Sequence, residues 1–300
     1  MEVPILQHDV VALNGDILLP GGSSLDHGTC ASLSRRQNGR TRGGYPFGDI
    51  PGQTGDLREF LANPPYVNIF SDRRETGEIL GLMGRVELIE PVIEALEYFR
   101  EHDFHTYRHS LMVFALSTLL ARHLYPDDRS SLLGALAGPS HDLGKICVPT
   151  NILRKDTPLT RLEEGILKHH ALAGYVLMTY YTGDAGHLTA RVARDHHERR
   201  DGTGYPRGID TYDEMLEIVI LADMYDALIS PRPYRPVSFD NRTALEMLTG
   251  MAVRGKIGWL PLKALIAFNR ESRPPLDKCE LSMDKRGRPP TRNVYGIRAD

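Results

Sequence analysis

The chain has few cysteines and little excess charge of either sign. Its three cysteines lie far apart without a CxxC spacing, so neither a disulfide framework nor a structural zinc module is indicated. The formal net charge is only −3 with neutral histidines, which gives no electrostatic argument for a DNA or RNA partner. We therefore expect a protein of a reducing compartment, the cytoplasm, without a nucleic-acid partner.

Long apolar runs are also missing. The longest, Leu111 to Ala121, lies between Arg108 and Arg122 and is far shorter than the roughly 20 residues that a membrane span needs. The first residues, MEVPILQHDVV, lack the cationic start and apolar core of a secretion signal. These absences predict a protein that does not associate with a membrane.

Through the middle of the chain, apolar residues recur at three- and four-residue spacing, which is typical of amphipathic helices. Examples are VELIEPVIEALEYFREH, SLMVFALSTLLARHL and MLEIVILADMYDALI. The content of 41% hydrophobic and 25% charged residues is that of an ordinary globular protein. The pattern predicts an all-α helical bundle over residues 64–270.

The two flanking regions have a different composition. Residues 1–63 combine a β-like stretch, VVALNGDILLP, with a loop-like one, RRQNGRTRGGYPFGDIPGQTG. We interpret them as a small N-terminal module, α/β or irregular and partly disordered, with a hairpin around Asn14-Gly15. Residues 271–300 are rich in proline and arginine with few large apolar side chains, which predicts a flexible C-terminal tail.

Histidine is concentrated in the predicted helical region. Ten of the 12 histidines lie between His102 and His197, and neutral histidine is a common metal ligand. His141 precedes Asp142, a pair that offers one nitrogen ligand and one carboxylate able to bridge two cations. His196 and His197 are adjacent, so on a helix they point about 100° apart and can serve two neighbouring metals.

Two acidic side chains and a turn add to this pattern of potential metal ligands. Asp223 lies in the apolar segment IVILADMYDAL, where a buried carboxylate is costly unless it is paired or bound to a metal. Asp226 is the competing acid, either facing solvent or hydrogen-bonded. The glycines and proline of DGTGYP, just after the paired histidines, end a helix and permit a tight loop. A second GYP at residues 44–46 has no metal-binding residue around it, and we treat it as coincidence.

In order and spacing these motifs resemble the HD-GYP family, a bacterial branch of the HD-domain metal-dependent phosphohydrolases. HDLGK begins at His141, HHERRDGTGYP at His196, LADMYDAL at Leu221 and RPYR at Arg232, and the resemblance extends over about residues 86–269. It implies an all-α catalytic core with two or three metals, iron or manganese. It also implies hydrolysis of cyclic di-GMP to the linear dinucleotide pGpG, and in some members onward to GMP.

The resemblance further implies roles for individual residues. The metal ligands would be His109, His141, Asp142, His170, His196, His197 and Asp223. Asp142 would bridge the metals, and Lys145 would contact the scissile phosphate and stabilise developing charge. The substrate would also be held by Gly204, Tyr205 and Pro206 of the GYP loop and by the guanidinium groups of Arg232 and Arg235. Two such metals would share a water and present hydroxide to the phosphodiester bond.

Three positions depart from the family pattern. His105 stands where members with a third metal have a glutamate, one helical turn before His109. It is either a ligand of a third ion or, as we prefer, a neighbour of a two-metal centre. Gly138-Pro139 precedes the His-Asp pair, and a proline there predicts a kinked helix. Ala171 replaces a proline after His170, which we expect to matter little because alanine continues a helix well.

The same residues leave other functions open. The GYP and RPYR segments do not separate cyclic di-GMP from another cyclic dinucleotide such as cyclic GMP-AMP. A weakly active metal-binding module that uses the GYP loop to dock a GGDEF-domain partner is a further alternative. A homodimer is compatible with the sequence but rests on no particular residue.

Overall fold

A computed structural model of the chain describes residues 3–36, 43–127, 129, 133, 136–233, 235, 237–291 and 298–299. Helices dominate these residues, so the all-α prediction is confirmed. In chain order they are α1 His27–Arg35, α2 Pro51–Ala62, α3 Arg73–Gly84, α4 Glu90–His102, α5 Phe104–Leu124, α6 Thr150–Leu153, α7 Arg161–Lys168, α8 His170–Thr182, α9 Leu188–Asp195, α10 Glu214–Ile229, α11 Asn241–Val253 and α12 Trp259–Phe268.

The strands that the structure describes form two antiparallel pairs. β1 Val10–Val11 pairs with β2 Ile17–Leu19, and Gly15 has a φ of +86° in the turn between them, which is the predicted hairpin. β3 Gly44–Pro46 pairs with β4 Glu87–Ile89. The second pair was not predicted, because a strand of three residues is too short to show an alternating pattern.

The N-terminal region is more helical than its composition predicted. Helix α2 begins at Pro51, within the last five residues of the stretch that we expected to be loop, at a position where the missing proline N–H costs nothing. Leu57 and Leu61 on this helix are buried, as is Tyr66 just beyond it. These buried apolar contacts therefore offset the low helix propensity of the glycines in α2. Residues 37–42 of the same stretch lie outside the described residues.

The hairpin and α1 pack on α8. The amide N of Leu13 donates to the hydroxyl of Tyr181 on α8 at 3.1 Å. The Sγ of Cys147 lies 3.5 Å from the carbonyl oxygen of Val11. The N-terminal region is thus in direct contact with the helical bundle.

The described part of the C-terminal region, for which we predicted a flexible tail, also contacts the bundle. Arg273 is paired with Glu75 on α3 at 2.6 Å and donates to the carbonyl oxygen of Asn68. Farther on, the amide N of Gly287 donates to Glu246 on α11 at 2.8 Å. Charged contacts, which apolar patterning does not register, hold this segment. Residues 292–297 and 300 of the predicted tail lie outside the described residues.

Helix α5 forms the centre of the bundle. The apolar run of residues 111–121 is completely buried within it, so this run is core. Helix α10 packs along α5 and brings its acidic side chains to the first turns of that helix. Among the described residues, no helix has the length and apolar character required to cross a membrane.

The segment around the His-Asp pair consists of two short 3₁₀ turns, Gly138–Ser140 and Leu143–Cys147. Pro139 stands in the first turn, where its missing N–H is tolerated, so the proline produces a tight turn where we predicted a kinked helix. A Cβ on Gly138 would overlap the backbone of Phe114 on α5. This close approach holds the His-Asp pair against the central helix.

The second turn meets the beginning of α8 backbone to backbone. A Cβ on Gly144 would overlap the carbonyl oxygen of His170 and the amide N of Gly174. Glycine is therefore required at residue 144, because it allows the His-Asp turn to approach the helix that begins with His170.

We expect Gly144→Ala to destabilise the fold by about 1–3 kcal/mol, the usual cost of overpacking a core, because the methyl group must push the turn away from α8. Denaturant unfolding measures this change. Gly77→Ala is a matched control: Gly77 is exposed on α3 and an added Cβ there would meet no atom within 4 Å. It should raise stability by up to about 1 kcal/mol. A similar gain for Gly144→Ala would contradict the close approach.

Candidate metal centre

The side chains that the sequence analysis named as metal ligands lie together in one buried centre. They form two adjacent groups, His109 with His141 and Asp142, and His170 with His196 and His197. Within each group the potential ligand atoms all lie within 4.8 Å of one another. Asp223 on α10 joins the first group, since its Oδ1 is 3.0 Å from Nε2 of His109.

Asp142 lies between the two groups. Its Oδ2 is 3.6 Å from Nε2 of His109 and 3.3 Å from Nε2 of His141. Its Oδ1 is 3.4 Å from Nε2 of His170 and 3.8 Å from Nε2 of His196. Because one oxygen faces each group, this carboxylate is placed to bridge two cations.

Hydrogen bonds of Nδ1 orient the histidine rings. The Nδ1 atoms of His141, His170 and His196 each lie within hydrogen-bond distance of a backbone carbonyl three residues earlier. A carbonyl only accepts, so Nδ1 carries the proton and, in a neutral ring, Nε2 carries a lone pair. All three lone pairs are therefore directed into the centre, as they are in metal-ligating histidines.

The Nε2 atoms are closer together than uncharged acceptors favour. The distances are 3.3 Å between His170 and His196, 3.1 Å between His170 and His197, and 3.3 Å between His109 and His141. Metal–nitrogen bonds of about 2.0–2.1 Å place neighbouring donors of one shell about 3 Å apart. Imidazole nitrogen with carboxylate oxygen is also a donor set that first-row divalent cations accept. The residues thus fit divalent cations in both groups.

The protonation states suit this task. Burial lowers the pKa of His170 to about 4 and that of His196 to about 3, so both rings are neutral ligands near pH 7. Burial opposes ionisation of Asp142, but the ammonium of Lys145, 2.6 Å from Oδ2, and the nearby histidines hold its pKa well below the usual value. The pKa of Asp223 is likewise held low by His109 against the effect of burial.

The second acid of α10 lies behind His109. The Oδ2 of Asp226 accepts a hydrogen bond from Nδ1 of His109 at 2.6 Å. Its Oδ1 accepts from Ser230 Oγ at 3.0 Å and from the hydroxyl of Tyr66. Of the two alternatives for Asp226, the structure has the hydrogen-bonded one. Asp226 follows Asp223 by three residues, a spacing that places both acids on one face of a helix. No pattern in the sequence indicated a role for Tyr66.

The GYP loop covers His197. The ring of Tyr205 stacks on the imidazole of His197, with centroids 4.6 Å apart and planes 18° apart. The amide N of Tyr205 also donates to the carbonyl oxygen of His197 at 3.2 Å. A Cβ on Gly204 would overlap the backbone of Glu198, so glycine is needed for this approach.

Two buried acids that the sequence analysis did not identify hold the loop in place. The carboxylate of Glu198 accepts from the amide N atoms of Arg207 and Ile209, at 2.7 and 3.1 Å. The carboxylate of Asp195 binds the guanidinium of Arg207 through two contacts of 3.0 and 2.7 Å. Both acids flank the paired histidines, so the residues that bind the loop and those that face the centre come from one segment.

The two arginines of the RPYR segment have different surroundings. The Nη2 of Arg232 is 3.8 Å from Oδ2 of Asp226, which places it next to the first group. Arg235, for which the sequence predicted a phosphate contact, instead donates to the carbonyl oxygens of Leu228 and Ser230 at 2.8 and 3.1 Å. These carbonyls stand at the end of α10, where a helix leaves acceptors without amide partners.

His105 and His169 lie outside both ligand groups. Among the described residues, His105 is in neither set of clustered donors. Burial and the nearby charge of Arg232 lower its pKa. The ring of His169 contacts that of His8, with centroids 5.4 Å apart, while the neighbouring His170 faces the centre.

A family model for the HD domain matches residues 95–258, more than half of the chain. The chain belongs to the HD domain family. Members of this family are metal-dependent phosphohydrolases, in agreement with the His and Asp groups of the centre.

The named activities of curated relatives agree with membership of this family. A cyclic di-GMP phosphodiesterase of Thermotoga maritima is 37% identical over 147 residues, 48% of this chain and 40% of that protein. One of Pseudomonas aeruginosa is 33% identical over 186 residues, 58% of this chain and 44% of that protein. A 3'3'-cGAMP-specific phosphodiesterase of Vibrio cholerae is 38% identical over 133 residues, 44% of this chain and 28% of that protein. The chain thus spans less than half of each relative, and the resemblance to HD-type phosphodiesterases is confirmed.

We expect Asp142→Asn to lower the metal content of both groups, because the two groups share this carboxylate. Reconstitution of the apo protein with Mn²⁺ and elemental analysis measure the ions held per chain. His197→Ala is the comparison, since it removes a donor from one group only and should leave the other group loaded. Full metal content in Asp142→Asn would exclude Asp142 as a shared ligand.

Proposed function

We propose that this chain is a metal-dependent phosphodiesterase that hydrolyses cyclic di-GMP to pGpG, with GMP as a further product. The observation that carries the proposal is the buried Asp142 carboxylate, which has one oxygen toward each of two groups of histidine nitrogens. Such a shared carboxylate suits two neighbouring cations and a phosphodiester substrate better than a single structural ion. The named activities of the relatives support the same reaction.

The proposed cofactors are two divalent cations, iron or manganese. His109, His141, Asp142 and Asp223 would hold one, and His170, His196, His197 and Asp142 the other. When bound, such ions activate a water and neutralise charge on the phosphate oxygens. The preference for two ions rests on the two donor groups, since His105 belongs to neither.

Lys145 and Arg232 are the proposed phosphate contacts. The side chain of Lys145 remains 15% exposed while its ammonium lies 2.6 Å from Asp142, so it faces both the centre and the approaching substrate. Arg232 adds a second positive charge beside the first group. Positive charge that is already in place stabilises the charge that develops on the phosphate in the transition state. We propose that Arg235 acts indirectly, through the shape of the turn that carries Arg232.

The GYP loop is the proposed contact for the rest of the substrate. Of the residues Gly204 to Pro206, Tyr205 stacks on His197, and a half-buried tyrosine ring provides a surface on which a nucleobase can stack. The same loop is the surface we propose for a GGDEF-domain partner.

A second substrate, cyclic GMP-AMP, is favoured by one observation, the similarity to a 3'3'-cGAMP-specific phosphodiesterase of Vibrio cholerae. Both cyclic dinucleotides present the same phosphodiester to the centre and differ only in one base. The choice between them therefore depends on contacts to the base, outside the donor groups.

The test is hydrolysis of cyclic di-GMP and cyclic GMP-AMP by anaerobically purified protein loaded with Fe²⁺ or Mn²⁺. We expect turnover of cyclic di-GMP, and we expect Lys145→Gln to lower kcat by about 10²–10³-fold, as loss of a transition-state contact does. The metal content of this variant should remain that of the wild type. Product analysis by chromatography separates pGpG from GMP.

Lys155→Gln serves as the matched control, because Lys155 pairs with Glu163 at 2.6 Å away from the centre. It should retain wild-type turnover. Equal turnover in both lysine variants would remove Lys145 from the reaction. A fully loaded wild-type protein that cleaves neither dinucleotide would contradict the phosphodiesterase proposal and favour the interaction module.

A further inference from the structure

A fully buried tyrosine from outside the matched HD region reaches the support of the metal centre. Tyr66 has 0% of its surface exposed and precedes residue 95, where the match to the HD domain begins. Its hydroxyl contacts Asp226 and Ser230, more than 150 residues later in the chain. A buried phenol is stable only if its hydroxyl finds a polar partner, and here those partners belong to α10 and its end.

The hydrogen atoms in this cluster can be assigned. Arg108 Nη1 donates to Ser230 Oγ at 2.9 Å, and Ser230 Oγ in turn donates to Asp226 Oδ1 at 3.0 Å. The carboxylate of Asp226 only accepts, so Tyr66 donates to it. On the other oxygen, Asp226 accepts from Nδ1 of His109 at 2.6 Å.

We propose that Tyr66 is a positioning residue for the metal centre. Its hydroxyl fixes the carboxylate of Asp226, Asp226 fixes the imidazole of His109, and Nε2 of His109 is thereby held toward the first donor group. This inference rests on the metal centre of the proposed function, but not on the identity of the substrate.

The proposed role of Tyr66 follows from the free-energy cost of burying a carboxylate. Asp226 is completely buried, and each of its oxygens needs donors to replace lost water. Without the tyrosine hydroxyl, Ser230 is the one donor that Oδ1 keeps among the residues that the structure describes, and the carboxylate is freer to turn about its terminal bond. A turn of Asp226 changes the direction of the hydrogen bond to His109 and loosens the ring that carries the ligand nitrogen.

Tyr66 is itself held from several sides. The guanidinium of Arg108 lies over its ring, 5.3 Å from the centroid. The carbonyl oxygen of the preceding Pro65 accepts from Nδ2 of Asn241 on α11 at 3.0 Å. The hydroxyl is therefore a fixed donor, which a positioning residue requires.

The test is Tyr66→Phe in the full chain, titrated as apo protein with Mn²⁺ and followed by calorimetry and by the EPR signal of free Mn²⁺. We expect the affinity of one of the two groups to fall about 10–100-fold, the usual effect of losing an outer hydrogen bond to a ligand. The other group should keep its wild-type affinity. Asp226→Asn should weaken the same group, and the double variant should be no weaker than Asp226→Asn alone, because the two residues act in series.

Tyr225→Phe is the matched control. Tyr225 is equally buried on α10, but its hydroxyl donates to Oδ1 of Asn269 at 2.9 Å. Tyr225→Phe loses one buried hydrogen bond, about 1 kcal/mol of stability, whereas Tyr66→Phe loses two contacts, of which the one to a carboxylate is worth about 1.5–3 kcal/mol. Both variants are therefore less stable than the wild type, and metal affinity is the property that separates them. We expect wild-type Mn²⁺ affinity in both groups for Tyr225→Phe.

Two results would overturn the inference: unchanged Mn²⁺ affinity in Tyr66→Phe, or an equal loss in both tyrosine variants. A wild-type chain that binds no Mn²⁺ would overturn it together with the proposed metal centre. If the wild type binds Mn²⁺ but cleaves no cyclic dinucleotide, the proposed function fails while the titration still decides the role of Tyr66.

Discussion

A negative charge buried between two sets of histidine nitrogens governs the architecture of this molecule. Asp142 is only 2% exposed, and a carboxylate without water is costly unless positive charge or hydrogen-bond donors surround it. Lys145 supplies one such charge at 2.6 Å, and cations in the adjoining groups would supply the rest. The tight turns before and after Asp142, and the backbone contact of Gly144 with α8, bring it to this place.

The same requirement explains the pattern of burial in the centre. His170 and His196 are shielded from water, which keeps them uncharged, while their Nδ1 atoms are tied to nearby carbonyls. A second set of residues lies outside the centre and contacts the ligands or the GYP loop. Glu198 and Asp195 set the GYP loop over His197, and Asp226 stands behind His109. Ligand geometry thus depends on polar contacts from helices that are far apart in sequence.

Much of this arrangement could be read from the sequence, because the histidines and acids of the centre fall in short motifs on or beside strongly periodic helices. His141 with Asp142, and His196 with His197, are adjacent in the sequence, and the helices α8 and α10, which carry His170 and Asp223, follow from apolar spacing. Contacts that join distant segments carry no such local signal. The hydrogen bond from Tyr66 to Asp226 and the docking of Arg273 beside α3 are of this kind. Helix α2 was missed since its glycines argued for a loop, whereas buried leucines decided the outcome.

Arg235 shows a different limit of motif reading. The position of an arginine in a motif gives its charge but not the direction of its guanidinium. Here the end of α10 presents free carbonyls nearby, and a guanidinium satisfies them at little cost.

The docking of the β1–β2 hairpin and α1 on α8 has a consequence for how this protein can be inherited and rearranged. Helix α8 begins with the ligand His170, and the turn that follows the His-Asp pair touches the hairpin through Cys147 and Val11. The segment before the HD region is therefore part of the same folded body as the donor groups. Recombination that exchanged this segment for an unrelated one would have to replace its contacts too, so the two parts are expected to descend together as one heritable unit.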